Sequence, residues 1–334
     1  MLFAESLGCG PAVLLKSSQK VSIEHMILSG PVYLDFGVLD GLILKIMPQK
    51  QYKTARDKTM PAWALRFMGQ TEQGMQTMMS RIPVVTELKP DDQYDVIFVV
   101  MRYTQVGEII DTLRANWTKN IVFVGNDVRA EEVAAMLPEK NVLFAFALSA
   151  GHRERDHVAS IDLKKITIGQ LSSAPSNEQL IGQIFDGMKF KVVYQPNMGD
   201  YLLWHAAFVV PVAFACYKTD GNLKKIKHDT AYLNRLIDAN IEGYRAIRNA
   251  GHEILPDDDK EFEGAAYRKT CLCFFKLMCV TSLGKLCAAD HAMNAIGEMS
   301  ALNRDLKKFF DKTGTEYPVW LELEKDTGSY LEQA

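Results

Sequence analysis

Asp95-Val-Ile-Phe-Val-Val-Met101 is a continuous apolar run, rich in β-branched side chains and free of polar alternation. A strand with one wet face alternates. A strand buried on both faces does not, and strands of that kind belong to parallel sheets covered by helices on either side. Parallel neighbours cannot be joined by a tight turn, so such a run requires crossover connections. The next residues supply one: Val106, Ile109, Ile110 and Leu113 recur at helical spacing between Thr104 and Asn116, and Asn120-Ile-Val-Phe-Val124 then starts a second strand.

The βαβ pattern continues through a helix-like stretch at Ala130 to Leu137 and a strand at Asn141-Val-Leu-Phe-Ala-Phe146. Lys165 to Gln170 reads as another strand, Asn177 to Met188 as a helix with Ser176 as N-cap, and Phe190 to Tyr194 as a last strand. The fold class expected is α/β, a Rossmann-type doubly wound parallel sheet. Pro196-Asn197 closes it, and beyond Gly199 the strand signals stop. Leu233, Leu236, Ile237, Ile241, Tyr244 and Ile247 then form one helical stripe that ends at Gly251, where a left-handed cap is expected. Further helices reach about Leu323, interrupted near Gly314 and Pro318, which makes the second half an all-α C-terminal domain. The domain reading is 1–196, Rossmann-type and dinucleotide-binding, and 197–334, helical, for substrate and dimerisation.

At 334 residues with 48% apolar content, the chain buries enough surface for two domains. A formal charge of −3 and a pI near 6.2 give no basic field for nucleic acid or an anionic membrane. The longest apolar run, Ala206 to Tyr217, contains Pro211 and is short of a membrane span. Glu5 near the start and the lack of a basic n-region point away from export and towards the cytoplasm. Six cysteines are too few for a disulfide scaffold, and Cys216, Cys271, Cys273, Cys279 and Cys287 fall in apolar helical segments. Cys271-Leu-Cys273 is neither a redox pair nor a zinc knuckle, so packing is expected there and no metal is assigned.

Residues 1–83 are anomalous for a domain of this kind. It should open with a strand, a glycine-rich turn and a helix, the glycines letting the backbone approach a pyrophosphate. No clean GxGxxG is present; Gly8-Cys-Gly10 and the segment from Gly30 to Gly37 are the two partial candidates.

From Val84 the chain resembles the ketopantoate reductases (2-dehydropantoate 2-reductases). The resemblance lies in Val84-Val-Thr-Glu-Leu-Lys-Pro-Asp-Asp92, Tyr94 to Val106, Phe123-Val-Gly-Asn126, Ile241-Glu-Gly-Tyr-Arg245 and Arg248-Asn-Ala-Gly251. It implies NADPH-dependent reduction of a 2-keto acid, 2-dehydropantoate or a similar compound, with NADP as cofactor and a homodimer as the assembly. It places Arg102 near the cofactor phosphates, Gln105 as a lining residue, and Gly125 and Asn126 beside the nicotinamide. The usual glycine-rich continuation is Asp127-Val128-Arg129, which would crowd the site or add charge to it.

The family's catalytic lysine, at the start of the first long helix of the second domain, is replaced by Leu202 or Leu203. His205 is the titratable side chain on the inner part of that helix, and near its usual pKa of about 6.5 it would serve as the acid for the developing alkoxide. His291 invites the same reading. Glu298 and Asn303, in Gly297-Glu-Met-Ser-Ala-Leu-Asn303, match the family's acidic substrate-binding segment. The alternative to a working reductase is a noncatalytic binder of a nucleotide or small molecule on the same fold.

Overall fold

A computed structural model describes residues 12–17, 22–28, 51–54, 77–79, 84–85, 88–153, 157–186 and 191–331. The two partial glycine turns, Gly8-Cys-Gly10 and Gly30 to Gly37, lie outside them. The chain divides into two compact units between Gly199 and Asp200.

The first unit is built on a mixed sheet. Its strands, among the described residues, are β1 (Ala12–Ser17), β2 (Ser22–Leu28), β3 (Gln51–Thr54), β4 (Thr77–Met79), β5 (Val84–Val85), β6 (Val96–Val100), β7 (Asn120–Val124), β8 (Asn141–Arg153), β9 (His157–Gly169) and β10 (Lys191–Tyr194). They lie in the order β4-β3-β9-β8-β7-β6-β1-β2-β5, with β10 on β9. The centre is β6, β7 and β8, mutually parallel. Every residue of β6 is buried, as its unbroken apolar composition required.

The sheet departs from the all-parallel expectation at β9. Three residues separate β8 from β9, too few for a crossover, so β9 returns as an antiparallel partner and Lys165 to Gln170 closes a longer strand. On the other flank β1 runs antiparallel to β6.

Helices α1 (Ile110–Ala115), α2 (Ala130–Ala135) and α3 (Glu178–Ile184) belong to this unit. The single helix expected over Thr104 to Asn116 is two, a 3₁₀ turn at Tyr103–Glu108 and then α1. Gly107, a poor helix former, falls inside the tighter turn. Ser176 is not the N-cap of α3. Asn177 holds that position, while the Ser176 hydroxyl pairs with that of Tyr194 at 2.9 Å and accepts a 3.4 Å bond from the Glu178 amide. The helix is also shorter than expected, ending at Ile184.

The second unit is all-α: α4 (Met198–Lys218) runs into it from the boundary, followed by α5 (Thr230–Asn249), α6 (Ala265–Met278), α7 (Ser282–Asn294), α8 (Ile296–Thr313) and α9 (Pro318–Lys325). The α5 stripe from Leu233 to Ile247 is buried as expected. Gly251 adopts φ +87°, with its amide on the Arg248 carbonyl and the His252 amide on the Ile247 carbonyl, which is a Schellman cap. Cys216 and Cys279 are buried, but Cys273 is exposed, against the packing expected for it.

At 21 residues α4 outlasts its apolar run and is long and apolar enough to cross a membrane by length and composition, yet most of it is buried within the unit. Pro211 lies in its interior. A proline there has no N–H for the carbonyl four residues back, and its ring displaces the preceding turn. Asn240 on α5, 1% exposed, answers this defect: its Nδ2 donates to the Ala207 carbonyl at 2.9 Å and the Phe208 carbonyl at 3.1 Å. A Cβ on Gly243 would stand 3.0 Å from that of Ala207, so the two helices touch almost backbone to backbone.

Removing Asn240 leaves the buried Ala207 carbonyl bare, at about 1–3 kcal/mol for a group without a partner, and takes a second bond from the part-buried Phe208 carbonyl. Asn240→Ala is expected to lower unfolding free energy by about 2–4 kcal/mol in urea titration. On a Pro211→Ala background, where an N–H is restored to Ala207, the same change is expected to cost at least about 1 kcal/mol less. Additive effects would show that the amide does not serve the proline.

Candidate active site

The parallel pairing of β6 and β7, with Val100 opposite Val124, brings the loops that follow them to one edge of the sheet. Ligands of open α/β sheets bind outside this carboxyl edge. After β6 the chain passes Met101 and half-buried Arg102 into the 3₁₀ turn, where the Gln105 amide donates to the Arg102 carbonyl at 2.9 Å. Arg102 forms no ion pair among the described residues. Tyr103, next to it, is 2% exposed, so its ring is a fixed surface.

After β7 comes Gly125 at φ 142°, a conformation that strains any side chain. Its amide still donates to Ala145 of β8 at 3.0 Å, which carries the ladder one residue beyond β7 as the chain turns. Asn126 and Asp127 follow, both buried. The Asp127 Oδ1 accepts the Arg129 amide at 2.7 Å in a turn that opens α2. The Arg129 guanidinium lies over the Tyr103 ring, 5.1 Å from its centroid.

A nicotinamide group suits this edge. Gly125 brings no side chain to it, buried Asn126 follows, and Arg102 and Arg129 lie on the same two loops. For the pyrophosphate the described residues offer less. The first βα turn of a dinucleotide fold follows a strand parallel to its neighbours, whereas β1 opposes β6 and β2, beyond it, runs with β6.

In the helical unit, Leu202 and Leu203 are 1% and 8% exposed and supply no ammonium. One turn on, the His205 ring lies parallel to that of Tyr201 at 6.4 Å and tilted against Trp204 at 6.0 Å, whose indole N–H is fixed by Asp259 at 3.0 Å. Burial, then the neighbouring His291, brings the His205 pKa down to about 3. The value near 6.5 expected for it is thus lowered, which favours the neutral imidazole.

Glu298 and Asn303 both lie in α8 and are 1% and 3% exposed. Five residues on a helix separate their directions by about 140°. Glu298 neighbours Tyr217 of α4, whose hydroxyl is pushed up by burial first, then by Cys216 and Glu298. Asn303 faces α9: its Nδ2 donates to Glu324 Oε1 at 2.6 Å and its Oδ1 accepts the Trp320 indole N–H at 2.8 Å. Lys307 holds the same Glu324 at 2.6 Å. The structure therefore does not bring Glu298 and Asn303 to one point.

A carboxylate–imidazole pair escaped the sequence reading. Asp200, in the first turn of α4, accepts from the Glu253 amide at 2.7 Å and lies 2.6 Å from His252 Nδ1. The Schellman cap at Gly251 folds His252 back to meet it. An acid opening a helix and a histidine after a cap glycine are ordinary signals separately; only the tertiary contact joins them.

No family model matches the sequence, and no curated protein matches it by sequence. Solved structures match by shape. A 2-dehydropantoate 2-reductase from Geobacter metallireducens superposes at TM-score 0.63 with 12% identity, over 88% of this chain and 92% of that one. D-mandelate dehydrogenase with NADH and anilino(oxo)acetate gives 0.60 and 12%, over 77% and 83%. A dimeric ketopantoate reductase from Staphylococcus aureus gives 0.56 and 12%, over 85% and 88%. The chain has the fold of the ketopantoate reductases, an α/β Rossmann-type domain followed by an all-α half.

Proposed function

We propose that this chain is a nicotinamide-dependent reductase of a small 2-keto acid, with NADP as cofactor and 2-dehydropantoate or a similar acid as substrate. The observation that carries the reading is Asn126, buried at the carboxyl end of β7 behind a glycine at φ 142°. The fold shared with 2-dehydropantoate 2-reductases, and with a dehydrogenase crystallised with NADH and an oxoacetate, supports it.

The bound nicotinamide would supply hydride. The chain's own part is to hold and polarise. Asn126 orients the ring and carbonyl, Arg102 meets phosphate, and Gln105 lines the loop beside it. Glu298 contributes a carboxylate to substrate binding. His205, being neutral, polarises the carbonyl through its N–H rather than by handing over an imidazolium proton. Asn303 is assigned a structural role, since both ends of its amide are engaged by Trp320 and Glu324.

A second reading, a noncatalytic nucleotide or small-molecule binder, is favoured by the buried leucines at the lysine position and the neutral His205. Calorimetric titration with NADPH and NADH, followed by cofactor oxidation across a panel of 2-keto acids, separates the two. The reductase is expected to turn over at least one acid and to lose about a hundredfold in kcat/KM in Asn126→Ala. Binding without turnover selects the second reading, and no binding removes both.

Asn303→Ala is expected to lower stability by about 2–3 kcal/mol, because the Trp320 indole N–H and Glu324 lose a buried partner. KM for cofactor and acid should stay within a factor of two; a large KM effect without destabilisation would return Asn303 to the site.

The low pKa of His205 makes a pH prediction. The unfolded imidazole takes up a proton below about pH 6.5, but the folded one resists until about pH 3. The unfolded state therefore binds more protons in this window, and stability falls as pH drops through it. His205→Phe is expected to flatten the pH 7 to pH 4 decline seen in urea unfolding; an unchanged slope would mean that His205 titrates normally.

A further inference from the structure

Lys165 and Lys191 stand directly opposite each other on the parallel strands β9 and β10. Opposed residues of a ladder put their side chains on the same face, so two ammonium groups share one patch of the sheet. Like charges so placed destabilise the pairing unless something of opposite sign lies between them. Among the described residues neither lysine side chain forms a hydrogen bond or an ion pair. Burial first, and then Lys191, holds the Lys165 ammonium below the usual lysine range.

Protection of a sheet edge accounts for only half of this pair. A lysine on an outer strand keeps other chains from pairing there, and exposed Lys191 on β10 fits that use. Lys165 does not, because it is half-buried and lies on β9, which has β8 on one side and β10 on the other. It also falls in a break of register. Ala147 of β8 pairs with Ile166 and Ser149 with Asp162, so Leu163, Lys164 and Lys165 oppose Leu148 alone. Bulges of this kind re-aim side chains and recur beside binding sites. The place is the carboxyl edge of the parallel strands, since β7 ends opposite Ala145 and the break begins beyond Ala147. Ligands of open α/β sheets bind along this edge. Arg102, which follows β6, is three strands away, roughly 14 Å at the usual strand spacing, so the lysines form a patch of their own.

An ammonium is a compact point charge with three donors, suited to an anion that offers oxygens in several directions. A phosphate between two of them cancels their repulsion and replaces the water that burial takes from Lys165. We propose that Lys165 and Lys191 hold a phosphate group between them, in an anion site separate from the one proposed for the cofactor phosphates. The phosphate has two sources, a small phosphorylated compound or the dinucleotide itself, and a position on the far side of β8 from β7 favours the first. This site does not depend on the reductase reading.

The test uses the full chain at fixed ionic strength, with inorganic pyrophosphate and NADPH as probes in calorimetric titration. Pyrophosphate is expected to bind saturably. Lys165→Gln and Lys191→Gln are each expected to weaken it about tenfold, the worth of one charge-assisted hydrogen bond, and Lys165→Arg, which keeps the charge, by less than about threefold. NADPH affinity should stay the same in all three. Thermal unfolding within a few degrees of the native chain excludes a folding defect; should Lys165→Gln fail that check, Lys191→Gln decides alone. No saturable binding by the native chain, or equal binding by the glutamine variants, would overturn the proposal and leave the reductase reading standing. A matching loss of NADPH would assign the lysines to the cofactor and overturn the separate site. If the native chain binds pyrophosphate but not NADPH, the site stands and the reductase reading falls.

Discussion

The parallel ladder of β6, β7 and β8 is the constraint from which the candidate site follows. Strands buried on both faces have no water for their amides and carbonyls, so these must pair with one another along their length. Once paired in the same direction, the strands release their following loops at a common edge. Arg102 and Tyr103 on one loop and Gly125, Asn126 and Arg129 on the next, distant by more than twenty residues, become neighbours for that reason. The Gly125 amide extends the ladder to Ala145 even as the chain turns, so Asn126 is presented from rigid backbone.

The two units handle polar groups in contrasting ways. In the first, the polar residues of the edge loops gather at the end of the sheet. In the second they are spent holding helices together: Glu242 accepts the Val319 and Trp320 amides at the start of α9, Asn303 joins α8 to the same turn, and Asn240 repairs α4. Burial raises the pKa of Glu242 while these two backbone bonds pull it back. Asp200 is spent in the same way, accepting the Glu253 amide and meeting the His252 ring.

What could be read in advance was whatever depends on local pattern. β6 and β7 were legible because their side chains are apolar without interruption, the α5 stripe because its period is helical, and the ends of α5 and α8 because glycine takes positive φ at Gly251 and Gly314. Features set by distant partners were not. The direction of β9 depends on a short connection, visible only once β8 is known to run on to Arg153. Asn303 resembles a ligand-binding asparagine until Trp320 and Glu324 are seen to claim both ends of its amide. The His205 pKa depends on what surrounds α4, not on the residues beside it in sequence. Arg129 was visible as a charge, but its place over the Tyr103 ring was not.

Helix α4 also imposes an order on synthesis. It is apolar around nearly its whole circumference and contains a proline that weakens it alone, while the groups that cover and mend it come later: Asn240 from α5, Phe275 beside Phe208, and Trp320 edge-on to Phe214 more than a hundred residues downstream. A chain emerging from the ribosome therefore carries an uncovered greasy segment until its C-terminal helices are made. Contacts of such long sequence separation form slowly and leave apolar surface open to chaperones or to other chains. The cover of α4 is complete only once α9 is made, and loss of α9 would strip Trp320 from Phe214.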